Sequence, residues 1–90
     1  MTEHKLREFL TAEVCKWASK PFDQIVAELA DVQAYELVTD GSPRQFEVML
    51  VENTSEYIHV VISADDGSLK LATRPLSSSF ILYRNGGVEI

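Results

Sequence analysis

Apolar residues recur with a helical period at the beginning of the chain. From Glu3 to about Ala18 they lie three or four residues apart, so that they share one stripe of an amphipathic helix. The stripe consists of Leu6, Phe9, Leu10, Val14 and Trp17. Cys15 falls on the opposite side and is expected to be exposed.

The sequence Ser19-Lys20-Pro21 interrupts this pattern, since proline suits the first turn of a new helix and restricts the residue before it. A second apolar stripe follows the proline. It consists of Phe22, Ile25, Val26, Leu29 and Ala30. The pattern predicts a second amphipathic helix that ends near Val32.

After Val32 the period changes to two, which is typical of β-strands. Turn-forming residues divide this part of the chain, and Asp66-Gly67 is a strong two-residue hairpin signal. Strands are predicted over residues 34–39, 45–52, 57–64, 68–73 and 79–84, with Val88-Glu89-Ile90 as a short added strand or a frayed end. The predicted fold class is α+β, with two N-terminal helices packed on one face of a roughly five-stranded antiparallel meander sheet.

Alternation along the strands divides their side chains between two faces. One face, called the inner face, is almost wholly apolar and is expected to receive both helices. Its members are Tyr35, Leu37, Phe46, Val48, Leu50, Ile58, Val60, Ile62, Leu69, Leu71, Phe80 and Leu82.

The opposite face, called the outer face, is about half apolar or aromatic. Its members are Glu36, Val38, Glu47, Met49, Val51, Tyr57, His59, Val61, Ser63, Lys70, Ala72, Arg74, Ile81 and Tyr83. One interpretation is an ordinary exposed sheet, because strands select β-branched and aromatic residues even when half exposed. Another is an interaction surface for a second copy of the chain or for another protein. A ligand cleft, or a register slip that exchanges the two faces, is a further alternative.

The interaction hypothesis names six residues, called the predicted patch: Met49, Val51, Tyr57, His59, Val61 and Tyr83.

Length and charge limit the classes of function. Ninety residues make one domain, 1–90, and the single cysteine excludes an intramolecular disulfide. The net charge of −6 disfavours nucleic-acid binding and favours basic partners. Neither a signal peptide nor an apolar run long enough to cross a membrane is recognisable, so we expect no membrane association and a cytoplasmic location.

Three polar centres are the candidates for binding or acid–base chemistry. Glu13 falls inside the apolar stripe of the first helix, where it either escapes to water or becomes a partly buried carboxylate with raised pKa. His59 is the one histidine of the predicted sheet. The loop from Arg74 to Ser79 joins an arginine to three serines and is a candidate anion site, with Lys70 and Arg84 as additional cations.

No catalytic residue, cofactor or metal site is predicted from these patterns. In size, acidity and α+β character the chain is similar to small acidic bacterial chaperone- or immunity-type proteins, a likeness that involves no shared motif. The expected function is that of a non-enzymatic interaction or adaptor domain that self-associates through the outer face, as a homodimer, with another protein as the other possible partner. The alternative is a small-molecule or anion-binding protein centred on Glu13, His59 or the Arg74 loop.

Overall fold

A computed structural model describes residues 3–39, 41–65 and 75–90. Its elements are α1 (Glu3–Ala18), α2 (Phe22–Glu28), β1 (Gln33–Thr39), β2 (Ser42–Asn53), β3 (Tyr57–Asp65), β4 (Leu76–Tyr83) and β5 (Val88–Glu89). The strands form one antiparallel sheet in the order β1-β2-β3-β4-β5. The predicted α+β class with an antiparallel sheet is therefore confirmed.

Helix α1 forms over the predicted residues and covers the inner face. Its stripe of Leu6, Leu10, Val14 and Trp17 is buried, and the helix packs across β3 and β4. Cys15 lies on the exposed side of the helix, as expected.

Helix α2 is shorter than predicted, because it ends at Glu28 instead of near Val32. Leu29 is its C-cap and is the last buried apolar residue of the segment. Beyond it Ala30 is exposed and Val32 is 52% exposed, so extending the helix would bury no further apolar surface. The chain turns there and enters β1.

The prediction that both helices pack on one face of the sheet is wrong. Only α1 packs along strands, whereas the seven-residue α2 lies along none of them and supplies Ile25 and Leu29 to one end of the core. Phe22 lies beside the β4–β5 turn, where its ring is 4.4 Å from the Arg84 guanidinium carbon. A helix this short spans only about 10 Å, too little to cover a second stretch of the sheet.

The first three strands match the predicted ones within about three residues, and the predicted neighbour of the third is corrected. The predicted strand 68–73 lies outside the described residues. In the predicted meander this strand would pair with the third strand. In the structure β3 pairs instead with β4, from Tyr57↔Tyr83 to Ala64↔Leu76. The fifth strand of the sheet is instead β5, which pairs with Ile81 and Leu82.

The predicted loop from Arg74 to Ser79 is also revised by the structure. Arg74 lies outside the described residues, and the segment from Leu76 to Ser79 belongs to β4. Leu76 is buried opposite Ala64, and Ser77 pairs with Ser63. All three serines pair with residues of β3, so the serine run is strand and not loop.

The predicted division of the strands into two faces is correct for the inner side. Seven predicted residues are buried there: Phe46, Val48, Ile58, Val60, Ile62, Phe80 and Leu82. Tyr35, Leu37 and Leu50 are partly buried against the same core. Leu69 and Leu71 lie outside the described residues. Helix α1 meets this side of the sheet, and neither described helix covers the opposite side.

Candidate interaction surface

Five residues of the predicted patch lie on the outer face and are brought together by the strand register, and the sixth, Val51, follows Leu50 on β2 without a register partner. Met49 is opposite Val61, and Tyr57 is opposite Tyr83. His59 is opposite Ile81, which alternation placed on this face but which was left out of the patch. All six are half-buried except Val51, which is 48% exposed.

A β-bulge in β2 adds a residue that alternation misses. The register passes from Leu50↔Val60 to Glu52↔His59, so that Val51 is the extra residue and Glu52 comes to the outer face beside His59. Strict alternation from Leu50 would have placed Glu52 on the inner face. No residue in this stretch signals a bulge, so sequence reasoning missed Glu52.

Two tyrosines and two glutamates form what we call the tyrosine cluster: Tyr57, Tyr83, Glu52 and Glu89. The Tyr57 hydroxyl donates to Glu52 Oε2 at 3.0 Å, and the Tyr83 hydroxyl donates to Glu89 Oε2 at 3.0 Å. The ring centroids are 5.9 Å apart, with the rings tilted by 59°. His59 is close by, its Nδ1 3.9 Å from Glu52 Oε1.

Two turns hold this cluster in place. In the β2–β3 turn the Thr54 hydroxyl accepts hydrogen bonds from the backbone N–H groups of Glu56 and Tyr57. In the β4–β5 turn Gly86 has a φ of +96°, a conformation that favours glycine, and this turn returns the chain so that Glu89 pairs with Ile81.

The hydrogen bonds of the cluster affect the tyrosines. The bond to Glu52 is the largest of the effects that raise the pKa of Tyr57, and the bond to Glu89 is the largest for Tyr83. The cause is that a phenolate would face a carboxylate across the same bond. Both phenols therefore stay neutral donors, and neither offsets the negative charge of its glutamate.

Charge on the outer face has one sign over the described strands. The acidic residues of this face are Glu36, Glu47, Glu52, Asp65 and Glu89, and no lysine or arginine lies on it within the described residues. Lys70 and Arg74, which the sequence assigned to the same face, lie outside those residues. Glu36 accepts its hydrogen bond from the neutral Gln45 amide at 2.7 Å.

Glu13, the acid–base candidate of α1, lies on the other side of the molecule. It is 7% exposed and accepts a hydrogen bond from the Tyr35 hydroxyl at 3.0 Å, while Trp17 Nε1 donates to the same hydroxyl at 2.9 Å. Burial is the main cause that raises the pKa of Tyr35 to about 12. The interpretation that Glu13 escapes to water is wrong, and its bond to Tyr35 ties α1 to β1.

The three polar centres named from the sequence do not form one site. Glu13 belongs to the α1–β1 contact, His59 lies on the outer face, and the Arg74 end of the loop is outside the described residues. Across the residues that the structure describes, no three histidine, cysteine, aspartate or glutamate side chains are arranged to hold a metal ion.

A cleft of about 370 Å³ that sequence reasoning missed lies between the α1–α2 link and the β4–β5 turn. Its two cations already have partners. Lys20 Nζ is 3.2 Å from both carboxylate oxygens of Glu28 and 3.8 Å from the Trp17 ring centroid. Arg84 lies over Phe22 and donates to the Thr54 carbonyl oxygen at 3.3 Å. These contacts hold α1, α2 and β4 together.

Comparisons with known proteins add no relative. No protein-family model, curated protein or solved structure matches the chain. Among the described helices none has the length and apolar character needed to cross a bilayer. The cytoplasmic location stays a prediction.

Proposed function

We propose that this protein is a non-enzymatic interaction domain that binds a protein chain through its outer face. The observation that carries the proposal is the arrangement of that face. Its centre is apolar, with Met49, Val61 and Ile81 on adjacent strands, and the tyrosine cluster borders it. An apolar centre with a polar rim, enriched in tyrosine and methionine, is the usual composition of a protein interface.

Burial of the two sides supports the same assignment. Helix α1 covers the inner face, and the described part of the chain places no element over Met49, Val61 and Ile81.

The proposal that the protein is not an enzyme rests on Glu13. This carboxylate, the best acid–base candidate of the sequence, is occupied by the Tyr35 hydroxyl in a contact between two elements of the fold.

Two kinds of occupant fit this proposal, a second copy of the chain and another protein. Light scattering during gel filtration distinguishes them. A self-associating protein gives a dimer or larger species that Met49→Glu converts to monomer, because a carboxylate would be buried in the interface. Ala12→Glu is the matched control, since Ala12 is exposed on α1 and the net charge changes equally. Circular dichroism checks that both variants fold.

If the wild-type protein is monomeric, photocross-linking tests the other occupant. A photoreactive residue at position 61 should give a discrete protein adduct in the cells that make the protein, and the same residue at position 12 should not. Adding Ile81→Glu should abolish that adduct. A monomer that gives the same adducts from both positions, or none from position 61, contradicts the proposed function.

A further inference from the structure

We propose that the occupant of the outer face is a segment of another protein that carries lysine or arginine beside apolar side chains, with a basic side chain placed against the tyrosine cluster. This inference rests on the proposed function and gives it a partner of defined chemistry. Three features of the described residues support it. They are the partners of the carboxylates, the aromatic rings of the tyrosine cluster without a cation over them, and the charge that a second copy would bring.

The solvent-accessible carboxylates of the two sides of the molecule have different partners, whereas the buried Glu13 of the helix side also accepts from a phenol, that of Tyr35. On the helix side Glu28 is bound by the Lys20 ammonium, and Glu8 is 3.6 Å from Lys5 Nζ. On the outer face Glu52 and Glu89 accept from neutral phenols. A neutral donor fixes the position of a carboxylate and leaves its full negative charge, which is the arrangement that binds a cation from outside.

Aromatic rings show the same contrast. Each of three rings on the helix side has a cation over it: Lys20 over Trp17, Arg84 over Phe22, and Lys5 over Phe9. Tyr57 and Tyr83 have no such cation within the described residues. A lysine or arginine is attracted to a ring face when it lies within about 6 Å of the centroid. The hydroxyl of each of these two rings also donates to a carboxylate, whose negative charge adds to the attraction for a lysine or arginine.

A second copy of the chain fits this charge poorly. Two outer faces placed against each other would each bring Glu36, Glu47, Glu52 and Glu89 into one interface, with no described lysine or arginine on either face to balance them. Like charges brought together in an interface oppose association. A basic partner has the complementary charge, and its apolar side chains would cover Met49, Val61 and Ile81.

The test measures the affinity of a short peptide that alternates valine and lysine, beside the same peptide with glutamine in place of lysine. Titration is followed by the methyl NMR signals of Val61 and Ile81 on the outer face, with Val14 and Ile25 in the core as internal references. The valine–lysine peptide should shift the outer-face methyl signals. The glutamine peptide should bind at least about fivefold more weakly.

Paired variants separate a local effect from net charge. Glu52→Gln with Glu89→Gln should raise the dissociation constant of the valine–lysine peptide by about fivefold to tenfold, because each exposed ion pair contributes a modest share. Glu8→Gln with Asp23→Asn makes the same change in net charge on the helices and should change affinity by less than about twofold. All four side chains are exposed, so both double variants should fold.

Several outcomes overturn the inference: no binding of the valine–lysine peptide, equal binding of the glutamine peptide, equal losses in the two double variants, or shifts confined to the core methyl signals. A wild-type dimer that Met49→Glu dissociates also overturns it, while supporting the proposed function. The two proposals therefore fail separately.

Discussion

The two faces of this sheet contain the same kind of hydrogen bond in two settings. On the inner side the Tyr35 hydroxyl donates to Glu13 at 3.0 Å, and on the outer face the Tyr57 hydroxyl donates to Glu52 at 3.0 Å. Glu13 is buried where α1 meets β1, whereas Glu52 is exposed. The length of a tyrosine–glutamate hydrogen bond therefore does not by itself assign the bond a role. The buried bond joins two elements of the fold, and the exposed one fixes the position of a charge at the surface.

The largest expected difference between the faces concerns two isoleucines on adjacent strands. Ile58 is 0% exposed in the core, and Ile81 is half-buried on the outer face. Ile58→Ala should lower the free energy of unfolding by about 2–5 kcal/mol, because it leaves a cavity under α1. Ile81→Ala should cost less than about 1.5 kcal/mol, since water already reaches part of the side chain.

Urea unfolding followed by circular dichroism measures both isoleucine variants at a concentration where the wild type is monomeric. Equal losses would mean that the outer face is packed as tightly as the core, which contradicts its description as an open surface. A loss for Ile81→Ala that grows with protein concentration would instead identify this face as a contact between copies.

The second difference concerns the two glutamates. Glu13→Gln should lower the free energy of unfolding by about 1–2 kcal/mol, because it weakens a buried charge-assisted bond. Glu52→Gln should change it by less than about 0.5 kcal/mol, as expected for an exposed residue. The same urea experiment measures both, and the substitutions are matched in size and charge. A larger loss for Glu52→Gln would show that the tyrosine cluster is needed for folding.

The amount that could be predicted from the sequence follows the same division. The described part of the inner face was predicted correctly because burial on one side imposes a strict two-residue alternation. The apolar stripe of α1 was predicted for the equivalent reason, with a period of 3.6 residues. Where burial ends, the periodic pattern of apolar residues weakens. The predicted end of α2 was therefore too late, and the serines of β4 were predicted to be loop.

The candidate site was predicted only in part. Alternation predicted which residues share the outer face, and the register agrees for five of the six, but Glu52 was missed since a bulge has no signal in this stretch. Glu89 was missed as well, because its position depends on whether the last residues form a strand. The contact between Glu13 and Tyr35 joins residues far apart in the chain, and spacing along one helix does not contain it.

Alkaline pH gives a third and smaller contrast between the faces. The pKa of Tyr35 is about 12 in the folded protein, chiefly through burial, and about 10 when the chain is unfolded. A raised pKa means that its contribution to stability is complete below about pH 10 and is lost as the pH rises towards about 12. Melting temperatures measured between about pH 9 and pH 11.5 should fall less steeply in Tyr35→Phe than in the wild type.

Tyr83→Phe is the matched control for the alkaline experiment. The pKa of Tyr83 is also raised, by its bond to Glu89, but the ring is on the outer face where solvent screens the interaction. We expect this variant to follow the wild-type decline closely. A decline in Tyr35→Phe as steep as in the wild type would contradict the assignment of the buried bond.

The smallest effect we expect is a difference in sign between two solvent-accessible glutamates, Glu28 and Glu47. Glu28 is held by Lys20, which is the largest cause that lowers the pKa of Glu28, so Glu28→Gln should lower the melting temperature. Glu47 lies diagonally across the β1–β2 pair from Glu36 and has no ion pair with a described residue, so Glu47→Gln should raise it slightly. Differential scanning calorimetry at low salt measures both, and added salt should reduce both changes because it screens attraction and repulsion alike. If Glu47→Gln also lowers the melting temperature, Glu47 has a favourable partner, and one fewer carboxylate on the outer face is available to a basic occupant.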